Sequence, residues 1–401
     1  MFVVFLNKNN YLLLTTHHLP LTTCHFFVPL PPKFQTMNPE VKEATGLVHN
    51  FNAGPSILPK TVFEQAAQAV LNYNNSGLSI LEIGHRTSTF QAIMDEAMAL
   101  VKELMQLDND HEVMFLHGGA STQFMQVPMN LLDDKETAAY TDTGVWGAKA
   151  IKEAKFFGKV DVVCSSKESN YTFIPKDFAV PNDAKYLHIT TNNTIYGTQW
   201  QKIPKTSIPL VADMSSDILS RVLDFNSYDL IYAGAQKNMG CAGVNLVVVN
   251  KNILGKIKRP IPTMMDYRVH IKEGSMFNTP PVFAVYVCML TLRWLKAQGG
   301  VAAIEKLNIA KADLLYNEID RNPLFKGTVN KEDRSKMNVC FVMHDTTLEE
   351  KFGAYTKEHG IIGIKGHRSV GGFRASLYNA LPISSVEVLT ELMKEFALKH
   401  G

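Results

Sequence analysis

Apolar positions along the chain switch between two spacings. At Glu64–Tyr73 and Phe90–Leu107 they recur three and four apart, and Ile93, Met94, Ala97, Leu100, Val101 and Leu104 trace one face of a helix. Short runs rich in β-branched or aromatic residues predict strands at Val113–Leu116, Ala138–Thr141, Val160–Cys164, Tyr186–Thr190, Leu210–Asp213, Leu230–Ala233 and Val244–Val249. Helical stretches such as Trp146–Phe157 separate several of them. Strands alternating with helices imply an α/β protein with a mostly parallel sheet covered on both faces. Pro281–Gln298 and Val301–Ile319 read as two long helices meeting at Gly299–Gly300. Beyond them the texture changes to strand Asn338–Met343, helix Leu348–His359, short strand Ile361–Lys365, strand Phe373–Tyr378 and helix Ser384–Lys399. The pattern predicts a large domain over 37–325 and a smaller α+β domain over 326–401.

Residues 1–36 stand apart. They hold no Asp, Glu, Arg or Ala, and their apolar runs are short and broken. A secretory signal needs one apolar block and small residues at a cleavage site; a mitochondrial transit peptide needs arginines. Neither description fits. The expectation is an upstream in-frame start with an unstructured extension, an unusual targeting peptide being the alternative.

Charge and cysteine usage narrow the class. Forty Lys+Arg against 38 Asp+Glu leave a net charge of +2, which removes a nucleic-acid protein built on bulk basicity. No apolar run reaches the length of a membrane span, about 18 residues. Cys24, Cys164, Cys241, Cys288 and Cys340 are scattered without C-x-x-C spacing, which suits a reducing cytoplasm.

In a parallel sheet, ligands collect where loops leave the carboxyl ends of the strands. After Val113–Leu116 comes H-G-G-A-S-T-Q-F (His117–Phe124), a Gly-Gly turn opening a helix. It could bind an anion on its backbone N–H groups or be a plain turn. After Leu210–Ala212 comes Asp213 in V-A-D-M-S-S, which could cap the serines, ligate a metal or face a protonated ring nitrogen. After Leu230–Tyr232 comes A-G-A-Q-K-N, with Lys237 readable as a solvated loop lysine or as a Schiff-base former. Together the three are the anchors that pyridoxal phosphate needs: a lysine for its aldehyde, an acid for its ring nitrogen and a turn for its phosphate. No G-x-G-x-x-G or G-x-x-x-x-G-K-[ST] supports a dinucleotide or P-loop reading.

From Phe51 to Gly401 the chain resembles the phosphoserine aminotransferases, a branch of the class V aminotransferases built on the fold-type-I scaffold. The resemblance is carried by F-N-A-G-P (Phe51–Pro55), I-G-H-R (Ile83–Arg86), G-G-A-S (Gly118–Ser121), D-T-G-V-W (Asp142–Trp146), Y-A-G-A-Q-K-N (Tyr232–Asn238), G-S-M-F-N-T-P-P (Gly274–Pro281) and K-G-H-R-S-V-G-G-F-R-A-S-L-Y-N-A (Lys365–Ala380). It implies pyridoxal 5′-phosphate as cofactor, with Lys237 as its covalent lysine and proton shuttle. Asp213 would pair with the ring nitrogen, Trp146 stack on the ring and Thr194 reach the ring hydroxyl. Ala120 and Ser121 would give backbone N–H groups to the phosphate, with Gln236 beside it. Asn278 and Thr279 would reach that phosphate from the second subunit of a homodimer with shared sites. His85, Arg86, His367, Arg368 and Arg374 would bind the substrate's anionic groups. Ser121 stands where some members have arginine, and Ala53 where some have serine.

Arginine forks and neighbouring histidines suit a substrate that carries a carboxylate and a phosphate. The implied reaction is ping-pong transamination between glutamate and 3-phosphohydroxypyruvate, giving phosphoserine and 2-oxoglutarate. The family is associated with serine formation and with one step of pyridoxal phosphate synthesis. Two rivals share the anchors. A cysteine desulfurase needs a reactive cysteine near the site, whereas Cys340 lies in an apolar strand pattern and Cys241 follows the lysine loop. A non-catalytic cofactor-binding regulator would bind without turnover.

Overall fold

A computed structural model describes residues 48–401 throughout. Before them it describes only strands β1 (Phe2–Leu6), β2 (Tyr11–Thr16) and β3 (Phe26–Pro29), paired antiparallel in that order. Apart from these strands, the expectation of an unstructured extension over 1–36 lies outside the described residues.

Every residue of β8 (Leu187–Thr190), β9 (Leu210–Asp213) and β10 (Leu230–Gly234) is buried, so these strands occupy the middle of a sheet rather than its rim. With β5 (His111–Leu116), β6 (Thr137–Asp142), β7 (Lys159–Ser165) and β11 (Asn245–Asn250) they form seven strands in the order β5-β11-β10-β9-β8-β6-β7. Only β11 runs against the rest. Alternate side chains feed two cores, as a pleated strand requires. Phe115, Ile189, Ala212, Ile231 and Val248 join α1 (Lys60–Leu71), α2 (Ser88–Met105) and α6 (Val282–Ala297) on one face. Met114, Tyr140, Val211, Tyr232 and Val247 join α3 (Gly119–Leu131), α4 (Val145–Ala154) and the short α5 (Tyr267–Lys272) on the other.

The predicted stripe on α2 is buried except for Leu104, which is half-buried at its edge. Thr87 caps the helix start by accepting from the Phe90 N–H, and Gln106 ends it in the left-handed region at φ 53°. α6 is buried on nearly every side between α1, α2 and α7 (Gly300–Arg321), which explains its uniformly apolar sequence.

α7 starts in the core shared with α2 and α6, through Val301 and Ile304, and ends in a separate core. Its Ala312, Leu315 and Ile319 pack with β12 (Phe325–Gly327), β13 (Asn338–Met343), β15 (Phe373–Ser376), α8 (Glu349–Glu358) and α9 (Ile383–His400). The three strands pair antiparallel in the order β12-β13-β15. The predicted strand at Ile361–Lys365 is shorter. β14 (Ile361–Ile362) pairs in parallel with β4 (His49–Asn50), Gly363 turns the chain at φ 78°, and Lys365 forms a single antiparallel bridge with Phe373. Phe51 thereby enters the C-terminal core although it precedes the large sheet in sequence.

One charge is buried at the junction of the cores. Lys311 of α7 is 1% exposed and donates to the carbonyls of Leu377 (2.9 Å) and Tyr378 (2.8 Å). Burial pulls its amine down to about 7. The next residue, Asn379, donates its N–H to Asn238 Oδ1 at 2.9 Å, beside Lys237. Asn308, one turn earlier on α7, donates to Asn379 Oδ1 at 2.8 Å. Together these bonds tie the end of β15 to the lysine-bearing link.

Candidate active site

Five strand ends meet around one cavity of ≈ 160 Å³. Gly118, Gly119, Ala120 and Ser121 follow β5, and Trp146 follows β6. Asn192 and Thr194 follow Thr190 at the end of β8, Ser215 and Ser216 follow Asp213 at the end of β9, and Gln236 and Lys237 follow β10.

The β5 exit works because two glycines accept a left-handed backbone, at φ 90° and 63°. A Cβ on Gly118 would also collide with the Thr122 side chain. The turn is short enough that Gly119, Ala120 and Ser121 form the first turn of α3, where N–H groups have no helical partner and favour an anion. The β6 exit has a different constraint. Gly144 leaves no room for a side chain because Asn193 occupies the space, and the chain turns directly into α4, placing Trp146 at the cavity wall.

Asp213 is 4% exposed; its Oδ1 accepts from the Ser215 N–H at 2.9 Å and the Ser215 hydroxyl at 2.6 Å. Burial pushes its carboxyl above the usual range, against those hydrogen bonds and the Lys237 charge. Lys237 Nζ donates to Thr194 Oγ1 at 2.7 Å and lies 5.7 Å from the centre of the Trp146 ring. Desolvation pulls its amine down to about 8; Asp213 and Asp217 oppose that shift and the Arg374 guanidinium adds to it. An amine so placed is available as a nucleophile and a base near neutral pH. The Thr190 hydroxyl and Trp146 Nε1 are buried there without a protein partner. A cavity with an accessible amine, a buried acid, an aromatic wall and a helix start fits a flat, phosphorylated aldehyde with a basic ring nitrogen.

Sequence-predicted Ala120, Ser121, Trp146, Thr194, Asp213, Gln236 and Lys237 thus line a single cavity. Arg374 reaches its rim from β15, with one guanidinium nitrogen 3.2 Å from the Thr194 carbonyl oxygen and Nε unpartnered. His367 and Arg368 lie on the turn before β15. Partial burial depresses the His367 imidazole, and the charges of Arg374, Arg368 and Lys149 depress it further, so these cations face one region. His85 and Arg86, before α2, and Asn278 and Thr279, before α6, do not line the cavity of their own chain. The Thr279 carbonyl instead accepts from His117 Nε2 at 2.9 Å.

Sequence reasoning missed Thr190, Asn192 and Lys149. The first sits at the end of a predicted strand and the second two residues beyond it, so the strand-end rule could have found both. Lys149, with Nζ 4.3 Å from the Trp146 ring centre, carries no signal of its own beyond one helical turn from that tryptophan. Cys340 is buried, and desolvation pushes its thiol up to about 12; Cys241 is raised in the same way. Neither is an activated nucleophile.

Residues 48–389 match the family model described as aminotransferase class-V. The chain is 61% identical over 352 residues to the phosphoserine aminotransferase of Flavobacterium johnsoniae, covering 88% of this chain and 99% of that one. It is 58% identical over 354 residues to the phosphoserine aminotransferase of Parabacteroides distasonis, with the same shares covered. Among solved structures it matches the phosphoserine aminotransferase of Bacillus circulans subsp. alkalophilus with a TM-score of 0.86 at 42% identity, covering 88% of this chain and 99% of that chain. The PLP-bound phosphoserine aminotransferase of Trichomonas vaginalis matches with a TM-score of 0.82 at 36% identity, covering 87% and 100%. A seven-stranded, mostly parallel sheet with helices on both faces, a lysine and an acid at its strand ends, and these likenesses lead to one assignment: the chain belongs to the class-V aminotransferase family.

Proposed function

We propose that the chain transfers an amino group between glutamate and 3-phosphohydroxypyruvate, giving 3-phosphoserine and 2-oxoglutarate, with pyridoxal phosphate as cofactor. The observation that carries this reading is the convergence of Lys237, Asp213 and the α3 start on one cavity in a chain 61% identical to a named phosphoserine aminotransferase. Pyridoxal phosphate, when bound, supplies an electron sink that makes the substrate's α-proton acidic.

The chain's residues do the rest. Lys237 Nζ would hold the cofactor by its aldehyde carbon and, as a free amine beside the substrate's α-carbon, would take the α-proton and return it. Its depressed basicity matches that task near neutral pH. Asp213, buried with its Oδ1 accepting from Ser215, would hold a proton on the ring nitrogen. Trp146 would cover the ring, Thr194 would meet the ring hydroxyl, and Ala120 and Ser121 would present N–H groups to the phosphate with Gln236 beside it.

Arg374 takes the α-carboxylate that every substrate carries. His367 and Arg368, with His85 and Arg86, take the distal phosphate or carboxylate. Asn278 and Thr279 serve the cofactor phosphate of a second copy, so the working unit is a homodimer. Residues 326–401 are read as a smaller domain, its core completed by Phe51, Phe325 and the end of α7, that carries Arg374 to the cavity. Among the described residues no helix is long and apolar enough to cross a membrane, and the cytoplasm is the proposed location.

A coupled assay tests the reaction. Glutamate with 3-phosphohydroxypyruvate should release 2-oxoglutarate at a rate that depends on added pyridoxal phosphate. No release from protein that holds the cofactor would favour the non-catalytic regulator.

A further inference from the structure

Residues 51–56 form neither helix nor strand, yet their hydrogen bonds reach both β15 and the link that carries Lys237. At one end, the N–H of Ser376, the last residue of β15, donates to the Phe51 carbonyl at 3.3 Å. Two residues further on, the hydroxyl of Tyr378, which is 1% exposed, donates to the Ala53 carbonyl at 2.8 Å. At the other end Ser56 serves two carbonyls. Its N–H donates to Gln236 at 3.0 Å and its hydroxyl donates to Lys237. Between these anchors the backbone lies against the lysine stem. A Cβ on Gly54 would stand 3.1 Å from Lys237 Cγ, and φ there is 140°, so the position disfavours a side chain on two counts.

The Gln236 and Lys237 carbonyls belong to the two peptide groups that flank the Lys237 Cα. Peptide groups are planar, so holding both sets the direction in which the lysine side chain leaves the backbone. The far anchors sit beside Arg374, two residues before Ser376 on β15. Arg374 is assigned to the substrate's α-carboxylate and Lys237 to its α-proton, and both groups hang from one carbon. The separation of guanidinium and amine therefore decides whether that proton is within reach once the carboxylate is bound. The Asn379–Asn238 bond ties the same two segments, but it acts through a side chain on the residue after Lys237.

We propose that residues 51–56 are a positioning strap, anchored by Ser56 and Tyr378, that sets the Lys237 amine against the α-carbon of a substrate held by Arg374. The proposal rests on the transaminase reading of the cavity. Neither Ser56 nor Tyr378 lines that cavity, so both are positioning residues that act through Lys237.

In the holoenzyme, exchange of the glutamate α-proton in deuterium oxide reads the alignment directly. Ser56→Ala should lower kcat for exchange by about 10-fold, since a displacement of about 1 Å costs on the order of 100-fold and one lost bond leaves part of the strap in place. KM for glutamate, and the affinity of the cofactor-free chain for pyridoxal phosphate, should stay within about 2-fold of wild type because no binding group is removed. Tyr378→Phe should show the same split. The double variant should lose no more than the worse single variant, because either change frees the same strap. Losses that multiply, an unchanged kcat in Ser56→Ala, or binding of cofactor and substrate that weakens in step with the rate overturn the strap. If Tyr378→Phe does not fold, Ser56→Ala decides alone by the split between kcat and KM. A wild-type protein that exchanges no α-proton refutes the transaminase reading and the strap with it, whereas an active wild type with unaffected variants refutes the strap alone.

Discussion

The two ends of the site are built differently. Seven of the nine residues assigned to the cofactor sit within a few positions of strand ends in one sheet, and the chain by itself brings those seven to a single cavity. The residues assigned to the substrate's anions are spread over a turn before α2, the loop before β15, and β15 itself; only Arg374 makes a contact with the cavity wall. A ladder-bonded sheet fixes its strand ends in one chain. Loops need further surroundings to converge, and under the proposed dimer a second copy would supply them. Most of the cofactor end is therefore a property of the fold, whereas one chain leaves the substrate end open.

The largest effect should come from the cofactor end. Lys237→Ala should lower α-proton exchange of glutamate by about 10,000-fold, the upper range for a general base, and borohydride should label a peptide containing Lys237 in the wild type only. Label on another lysine removes the central assignment.

Arg374 joins the two ends. Arg374→Ala should cost at least about 100-fold in both half-reactions, since two charge-assisted hydrogen bonds to the α-carboxylate are lost whichever substrate is bound. Single-turnover measurement of each half-reaction checks this, and a one-sided loss would place Arg374 with the substrate's distal group.

Lys311, buried behind the segment that follows β15, titrates. Its amine is at about 7 folded and near 10.5 unfolded, so between those values the unfolded chain binds a proton that the native chain lacks. Stability from this group therefore rises with pH across that window, by about 1.4 kcal/mol per unit. From pH 7 to 9 the wild type should gain roughly 2 to 3 kcal/mol relative to Lys311→Met in denaturant titrations. Parallel pH profiles would show that the buried amine does not titrate there.

Arg368→Ala should cost about 10- to 150-fold in kcat/KM toward phosphoserine and less toward glutamate, whose distal group is a monoanion with fewer acceptor oxygens. Equal losses would make the pocket a general anion site. The smallest signal is recovery on mixing inactive Lys237→Ala with inactive Thr279→Phe, because only some hybrid sites keep both intact halves. Partial activity after verified subunit exchange supports a shared site, and none argues for sites complete within one chain.

The same contrast governs what the sequence discloses. Strands at Leu187–Thr190, Leu210–Asp213 and Leu230–Gly234 are buried on both faces, so continuous apolar runs announce them, and reading the residues that follow yields Asp213 and Lys237. The antiparallel course of β11 was not legible, because a fully buried run looks the same in either direction. α5 went unseen because six residues give too little periodicity. Asp217 and Arg221 are hidden for another reason. They sit in a turn where an acid and a base ordinarily read as solvated, and only packing shows that both are buried. The H-R pairs were identified by resemblance to family motifs and by chemistry suited to anions, but no spacing rule says which copy of the chain they serve.

The reversed strand has one more consequence. Because β11 is antiparallel to β10, residues 235–244 return directly to the adjacent strand instead of leading into a long crossover, and the Ala235 N–H to Val244 carbonyl bond closes this link at its base. Within it, the Met239 and Gly240 N–H groups both bond back to the Ala235 carbonyl, which rigidifies the turn that carries Lys237. Bonds that anchor a turn on paired strands make its local opening costlier than that of an unbonded loop, so its amide hydrogens should exchange more slowly. The backbone of Lys237 is thereby held at the cavity wall.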